Sequence, residues 1–299
     1  MDSLEAKVPA FSFDAFIPSE MAERAEKTGV QKAVMGWRTT FALGVLAGGF
    51  IAMGAVFSTT VTAGATGHIS YGVTRLLGGL VFSLGLILVV VAGAELFTGN
   101  NLIIMAWANR RVTTFQVLRN WLLVYVGNFA GAISTAVLMY ISSQYYFGKG
   151  MVGINILNTA ASKCQLGFIQ AMALGIACNA LVCIAVWLCY SARTTTDKIL
   201  SIIFPITAFV AAGFEHSIAN MYFIPIALFV KSGAPSVFWE TVGRTASDFS
   251  GITWTRFVFA NLLPVTIGNV FGGSVMVGLI YWFIYLRKGL VSKSGHKGE

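Results

Sequence analysis

The chain has 299 residues, of which 56% are hydrophobic and only 11% charged, and its mean hydropathy is +0.75. A soluble fold, with about a quarter of its residues charged, is excluded, because too little polar surface remains to cover so many apolar segments. The net charge of +8, from 20 basic and 12 acidic side chains, lies mainly in loops and tails; it reports membrane orientation and calls for no nucleic-acid partner.

Residues 1–38 read as a cytoplasmic N-terminal arm with no signal peptide, since no short apolar run with a small-residue cleavage site precedes the first span. Phe11, Phe13, Phe16 and Ile17 can seat on a membrane surface. The polar stretch Glu20, Glu23, Arg24, Glu26, Lys27 after Pro18 is expected to be helical and amphipathic, serving either as a mobile element or as an anchor. A first three-helix repeat occupies 39–141. Its first span covers about 39–61; the second, about 75–107, exceeds the roughly 20 residues of one straight crossing and is expected to break near Leu96–Asn101; the third covers about 121–141. Residues 142–164 form a polar external linker. The second repeat, 165–286, follows the same plan: a span over about 165–190, a broken one over about 199–230 with its break at Glu215–Ala219, and a last one over about 257–286. Residues 287–299 are a cytoplasmic tail.

The repeat rests on matched spacings. Gly93, Glu95 and Asn100 recur as Gly213, Glu215 and Asn220, offset by 120. Asn120, Asn128 and Gly131 recur as Asn261, Asn269 and Gly272, offset by 141, and Ala42-Leu43-Gly44 as Ala173-Leu174-Gly175. Three crossings per half make the two halves inverted, so the expected fold is an all-α integral membrane protein of six helices with its second and fifth spans broken. With both termini inside, fourteen basic residues lie on the inner side and six on the outer, which places the termini in the cytoplasm.

Broken membrane helices expose backbone N–H and C=O groups that only protein or a polar cavity can satisfy, so the two breaks are the expected permeation site. His216 is the one histidine inside an apolar segment and can carry a proton or pair with Glu215. Thr98, at the other break, can meet His216 across the pseudo-axis or cap its own helix. Glu95 and Glu215 suit either support of the freed N–H groups or cation binding. Asn179 and Asn269 lie deep in spans, to line or support a pore, and Lys163 precedes the fourth span, where its charge can draw an anion. Phe82, Leu86, Leu96, Phe97 and Phe209 flank the breaks as a candidate constriction, although each alone also suits core packing. Cys164, Cys178, Cys183 and Cys189 match no metal or redox spacing and read as small buried hydrophobes. No nucleotide loop, metal cluster or catalytic triad is present, so neither an enzyme nor a cofactor is expected.

The stretches VFSLGLILVVVAGAELFTGN, DKILSIIFPITAFVAAGFEHSIANMYFIPI and NLLPVTIGNVFGGSVMVGLIYWFIYLR cover much of the chain, and GFEHSIANM with NLLPVTIGN is highly specific. They resemble the formate/nitrite transporter family. The resemblance implies an aquaporin-like protomer, a homopentamer with one pore per protomer, and location in the bacterial inner membrane among lipid. It assigns the central histidine to His216, the opposing threonine to Thr98, the entrance lysine to Lys163 and the associated asparagines to Asn179, Asn220 and Asn269. The chain departs from the pattern at Gly99, where TG replaces TS. The implied substrates are formate and similar small monovalent anions, with protons as a partner; nitrite or hydrosulfide is the alternative within the family, and a neutral-solute pore the alternative outside it.

Overall fold

A computed structural model describes residues 14–287, and every regular element among them is helical. Phe11 and Phe13 of the arm, and Lys288, Lys293, His296 and Lys297 of the tail, lie outside the described residues.

Helix α1 (Pro18–Val34) starts with Pro18 in the first turn, where its missing N–H is no loss, and with Glu20 accepting from the Ile17 N–H at 3.0 Å. Its apolar face, Met21, Ala22, Ala25, Gly29 and Ala33, is buried against the chain's own helices. Ahead of α1, the Phe16 ring is held between the guanidinium groups of Arg24 and Arg193, at 3.9 and 3.7 Å. Helix α2 is Trp37–Val61 and α3 is Tyr71–Ala92. After α3 the chain turns, then rewinds as α4 (Phe97–Asn100), a 3-10 turn over Asn101–Ile103 and α5 (Ile104–Ala108). A capping box between Thr113 and Gln116 opens α6 (Thr114–Ile141).

The segment expected to be a polar linker contains α7 (Met151–Cys164). Val152, Ile156, Leu157, Ala160 and Cys164 form its buried stripe, the 3–4 spacing of an amphipathic helix. Polar residues between them hid the helix. The second repeat comprises α8 (Phe168–Ser191), α9 (Thr195–Ala211), α10 (Ser217–Gly233), a short α11 (Ser236–Val242) and α12 (Arg256–Leu286), wound partly as π-helix. Helices α2, α3, α6, α8 and α12 are each long and apolar enough to cross a membrane, and the remaining apolar run is divided between α9 and α10. The chain is thus an all-helical membrane protein built as two three-helix repeats.

Equivalent contacts hold the two repeats. Helix α2 packs on α6 as α8 packs on α12. A Cβ added at Gly131 would fall on the Val45 carbonyl, and one at the matching Gly272 on the Ile176 carbonyl, so only glycine permits this backbone approach. The breaks themselves come a few residues earlier than the polar residues suggested. Gly93 and Gly213 adopt left-handed backbone, φ 83° and 77°, and end α3 and α9. Helix has already resumed at Phe97 and Ser217. Glycine, the residue that tolerates this conformation, sets the boundary; the polar residues then tie the turn.

Candidate functional site

Each break is tied by the same set of hydrogen bonds. At the first, the Phe97 N–H donates to Asn128 Oδ1 at 2.9 Å, and Asn128 Nδ2 donates to the carbonyls of Gly44 and Glu95 at 2.7 and 2.9 Å. At the second, the Ser217 N–H donates to Asn269 Oδ1 at 2.9 Å, and Asn269 Nδ2 donates to the carbonyls of Gly175 and Glu215 at 2.8 and 3.0 Å. The backbone freed at each turn is thereby satisfied inside protein, as membrane depth requires. Both asparagines are fully buried.

The carboxylates complete the pattern. Glu95 accepts from Asn100 Nδ2 at 2.7 Å and pairs with Lys32 Nζ at 3.0 Å. Glu215 accepts from Asn220 Nδ2 at 2.7 Å and from Asn261 Nδ2 at 3.1 Å, and pairs with Lys163 Nζ at 2.8 Å. Asn100 also donates to Asn120 Oδ1, and Asn220 to Asn261 Oδ1. The copies differ in two of these contacts: Asn261 Nδ2 reaches Glu215, whereas Asn120 Nδ2 donates to the Lys32 carbonyl and not to Glu95; and Lys32 reaches Asn100 Oδ1 at 2.8 Å, whereas the buried Asn220 Oδ1 has no hydrogen-bond partner, in a residue that lines a cavity.

His216 and Thr98 meet where the repeats face each other. His216 Nε2 lies 3.0 Å from Thr98 Oγ1, and both residues are buried. The ring also caps α10: its Nδ1 accepts the Ala219 N–H at 3.1 Å. A backbone N–H can only donate, so Nδ1 is bare in this arrangement and the ring proton of the neutral imidazole sits on Nε2, toward Thr98. Phe209 lies nearly parallel to the ring at 5.9 Å between centroids, and Phe82 meets Phe209 edge-on at 5.7 Å. Asn179 Nδ2 donates to the carbonyls of Asn269 at 2.6 Å and Thr98 at 3.3 Å, and to Asn101 Oδ1 at 2.7 Å. It joins the two repeats and lines neither of the two cavities beside the histidine.

Two cavities approach this centre. One, of about 350 Å³, is lined by Lys163, Glu215, His216, Asn220, Phe82 and Phe209, among others. The other, of about 360 Å³, is lined by Lys32, Glu95, Leu86, Leu96, Gly99 and Asn100, among others. Phe82 faces the first and Leu86 the second, and four residues of helix span about 6 Å. The barrier between the cavities is therefore about one helical turn thick. Phe97 lines neither: its ring packs edge-on against Trp121 and Tyr125, at 6.2 and 4.9 Å. The four cysteines are free and buried, and no cluster of metal-ligating side chains occurs among the described residues.

Sequence reasoning missed three residues of this arrangement. Lys32 entered only as a basic residue of the arm. It is the counterpart of Lys163, and the signal was available: Lys32, Gly36 and Gly44 precede Lys163, Gly167 and Gly175 by the same 131 positions. Phe223, stacked on Phe82 at 6.4 Å and beneath the Lys163 ammonium at 5.4 Å, carried no signal beyond its apolar type. Arg75 lines the Lys163 cavity although 136 positions separate it from the Ala211 carbonyl that it binds.

Known proteins share this architecture. A family profile described as formate/nitrite transporter matches residues 19–283. The chain is 47% identical to the formate channel FocA of Escherichia coli K12, across 92% of this chain and 96% of that one. It is 40% identical to the formate channel FocA of Haemophilus influenzae, across 90% and 95%. A solved structure described as a pentameric formate channel with formate bound superposes with a TM-score of 0.78 at 43% identity, covering 84% of this chain and 98% of that one. An ion channel described as of the FNT family superposes with a TM-score of 0.73 at 24% identity, across 89% and 99%, and shares the fold.

Proposed function

The chain belongs to the formate/nitrite transporter family, and from that premise we propose that it passes formate and similar small monovalent anions across the bacterial inner membrane, as a homopentamer with a pore in each protomer. The observation that carries this reading is the His216–Thr98 pair, set at a thin apolar barrier between two cavities that each hold a lysine–glutamate pair. Both termini lie in the cytoplasm on this reading, because that side then holds fourteen of the basic residues.

Moving an unpaired charge through the apolar barrier is costly, and His216 offers a way to reduce that cost. A second proton on the ring would occupy Nδ1, displace the Ala219 N–H and release the ring from its cap. Delivery of that proton from Nδ1 to a formate oxygen forms the O–H bond of formic acid, returns His216 to the neutral form with its proton on Nε2, and restores the cap. The neutral acid then passes Leu86 and Leu96. Thr98 orients the ring during the resting state, and Asn179 and Asn269 hold the two breaks in register. A neutral-solute pore of the aquaporin kind has no use for a titratable ring in this position.

Influx of labelled formate into vesicles containing the purified chain tests the proposal. Saturable influx is expected, and a rate equal to that of empty vesicles rejects it. The constriction has its own test. Phe209→Ala and Leu96→Ala are expected to let larger carboxylates such as acetate and lactate pass several-fold faster relative to formate, because the barrier is apolar and thin. Unchanged selectivity in both variants, with the assembly intact by size-exclusion chromatography, would assign these side chains to packing.

A further inference from the structure

Each cavity is lined by a lysine that is paired. Lys163 Nζ lies 2.8 Å from Glu215 Oε1, with the two side chains 14% and 6% exposed, and Lys32 repeats this with Glu95 at 3.0 Å. Beyond a few ångströms each pair presents opposite charges that largely cancel, so neither lysine accounts for a net attraction of anions. In the Lys32 cavity, Arg24 and Lys198 add positive charge. In the Lys163 cavity, Arg75 is the one lining cation without a carboxylate within ion-pair distance among the described residues.

The position of Arg75 is specific. Its Nε donates to the Ala211 carbonyl at 3.2 Å and its Nη2 to the Val210 carbonyl. These carbonyls end α9 immediately before the Gly213 turn, where the helix dipole gathers partial negative charge. A Cβ at Gly213 would lie 3.5 Å from the same guanidinium. Among the described residues no arginine or lysine donates to carbonyls 90–92 at the matching end of α3. A guanidinium has five N–H donors and the end of a helix carries only about half a negative charge, so donors and a net positive charge remain for the cavity that Arg75 lines.

We propose that Arg75, rather than Lys163, draws anions into this cavity, by covering the negative end of α9 and leaving a net positive charge beside the turn that carries His216. The assignment rests on the reading of the chain as a small-anion channel. It makes Arg75 a positioning and steering residue: the fixed charge raises the local anion concentration while Lys163 and Glu215 hold the break.

The test is the concentration dependence of influx from the Lys163 side, in uniformly oriented vesicles, for whichever of formate, nitrite and hydrosulfide the native protein passes. Arg75→Gln is expected to raise the half-saturating concentration about fivefold at an ionic strength of about 10 mM, with little change in maximal rate. The difference should vanish near 1 M salt, where the screening length is only about 3 Å. Arg75→Lys keeps the charge and should restore most of the affinity and its salt dependence. Influx from the Lys32 side should keep its native half-saturation. The native protein alone must also show salt-dependent half-saturation from the Lys163 side, which keeps the test decisive if a variant fails to assemble. Native affinity and salt dependence in Arg75→Gln would overturn the proposal, as would equal impairment of both variants at every salt concentration. A native protein that passes none of the three anions would overturn the channel reading itself.

Discussion

Replacing His216 with asparagine is expected to convert formate passage from nearly electroneutral to charge-carrying, while leaving the fold intact. Asparagine is among the strongest helix N-caps, so its Oδ1 can take over the Ala219 N–H that His216 Nδ1 now accepts. It cannot take up and release a proton near neutrality. If the ring supplies the proton that accompanies formate, the variant passes the anion bare, and membrane current per labelled formate should rise from near zero toward one elementary charge. Flux should also fall at least tenfold, because the bare anion must now cross the apolar barrier beside Leu86 and Leu96. Paired measurement of current and tracer flux across pH reads both quantities. The same ratio of current to flux in the two proteins, with the same pH response, would remove His216 from proton handling and leave it as a cap and hydrogen-bond donor.

Removing Glu215 is expected to be the most destructive single change. Its carboxylate holds Lys163 at 2.8 Å and the amides of Asn220 and Asn261 at 2.7 and 3.1 Å, with the glutamate side chain only 6% exposed. Glu215→Ala leaves a largely buried ammonium unpaired and two buried amides short of an acceptor. Breaking a buried pair from one side costs about 3–5 kcal/mol, and each amide N–H left without its acceptor adds about 1–3 kcal/mol. That is a large fraction of a typical folding free energy of about 5–15 kcal/mol, so little assembled protein should survive purification. Glu215→Gln should do less harm, because one amide oxygen still accepts. Assembly yield and melting temperature in mild detergent distinguish them; a Glu215→Ala protein as stable as the native one would mean that the pair and its amides contribute nothing to holding the break.

The parts of this site that were legible in the sequence are those where a polar group stands in apolar surroundings at a repeated spacing. Glu95, Asn100, Glu215 and Asn220 cannot be tolerated in hydrocarbon without partners, and their shared spacing located both turns. Not legible was that the amides of Asn128 and Asn269, rather than the carboxylates, tie the freed backbone, because an amide accepts an N–H and donates to a carbonyl whereas a carboxylate only accepts. Less legible was the limit of each break, because Gly93 and Gly213 end the helices by their backbone conformation while the eye is drawn to the polar residues that follow. Helix α7 was hidden because its buried stripe alternates with polar residues that line a cavity, and Lys32 because α1 carries no apolar run. Arg75, Phe223 and the edge-on packing of Phe97 depend on which helices meet in space. No local pattern encodes the approach of the first turn of α3 to the last turn of α9.

The central claim is that the meeting of the two breaks at His216 and Thr98 forms a path for a weak-acid anion, and side-by-side flux of formate, glycerol and water through the purified protein tests it most directly. Vesicles of one lipid composition, with and without the assembled chain, should show formate influx accelerated at least tenfold by the protein, with glycerol and water influx at the rate of empty vesicles. Rapid glycerol influx without accelerated formate influx would contradict the account and assign the fold to neutral solutes.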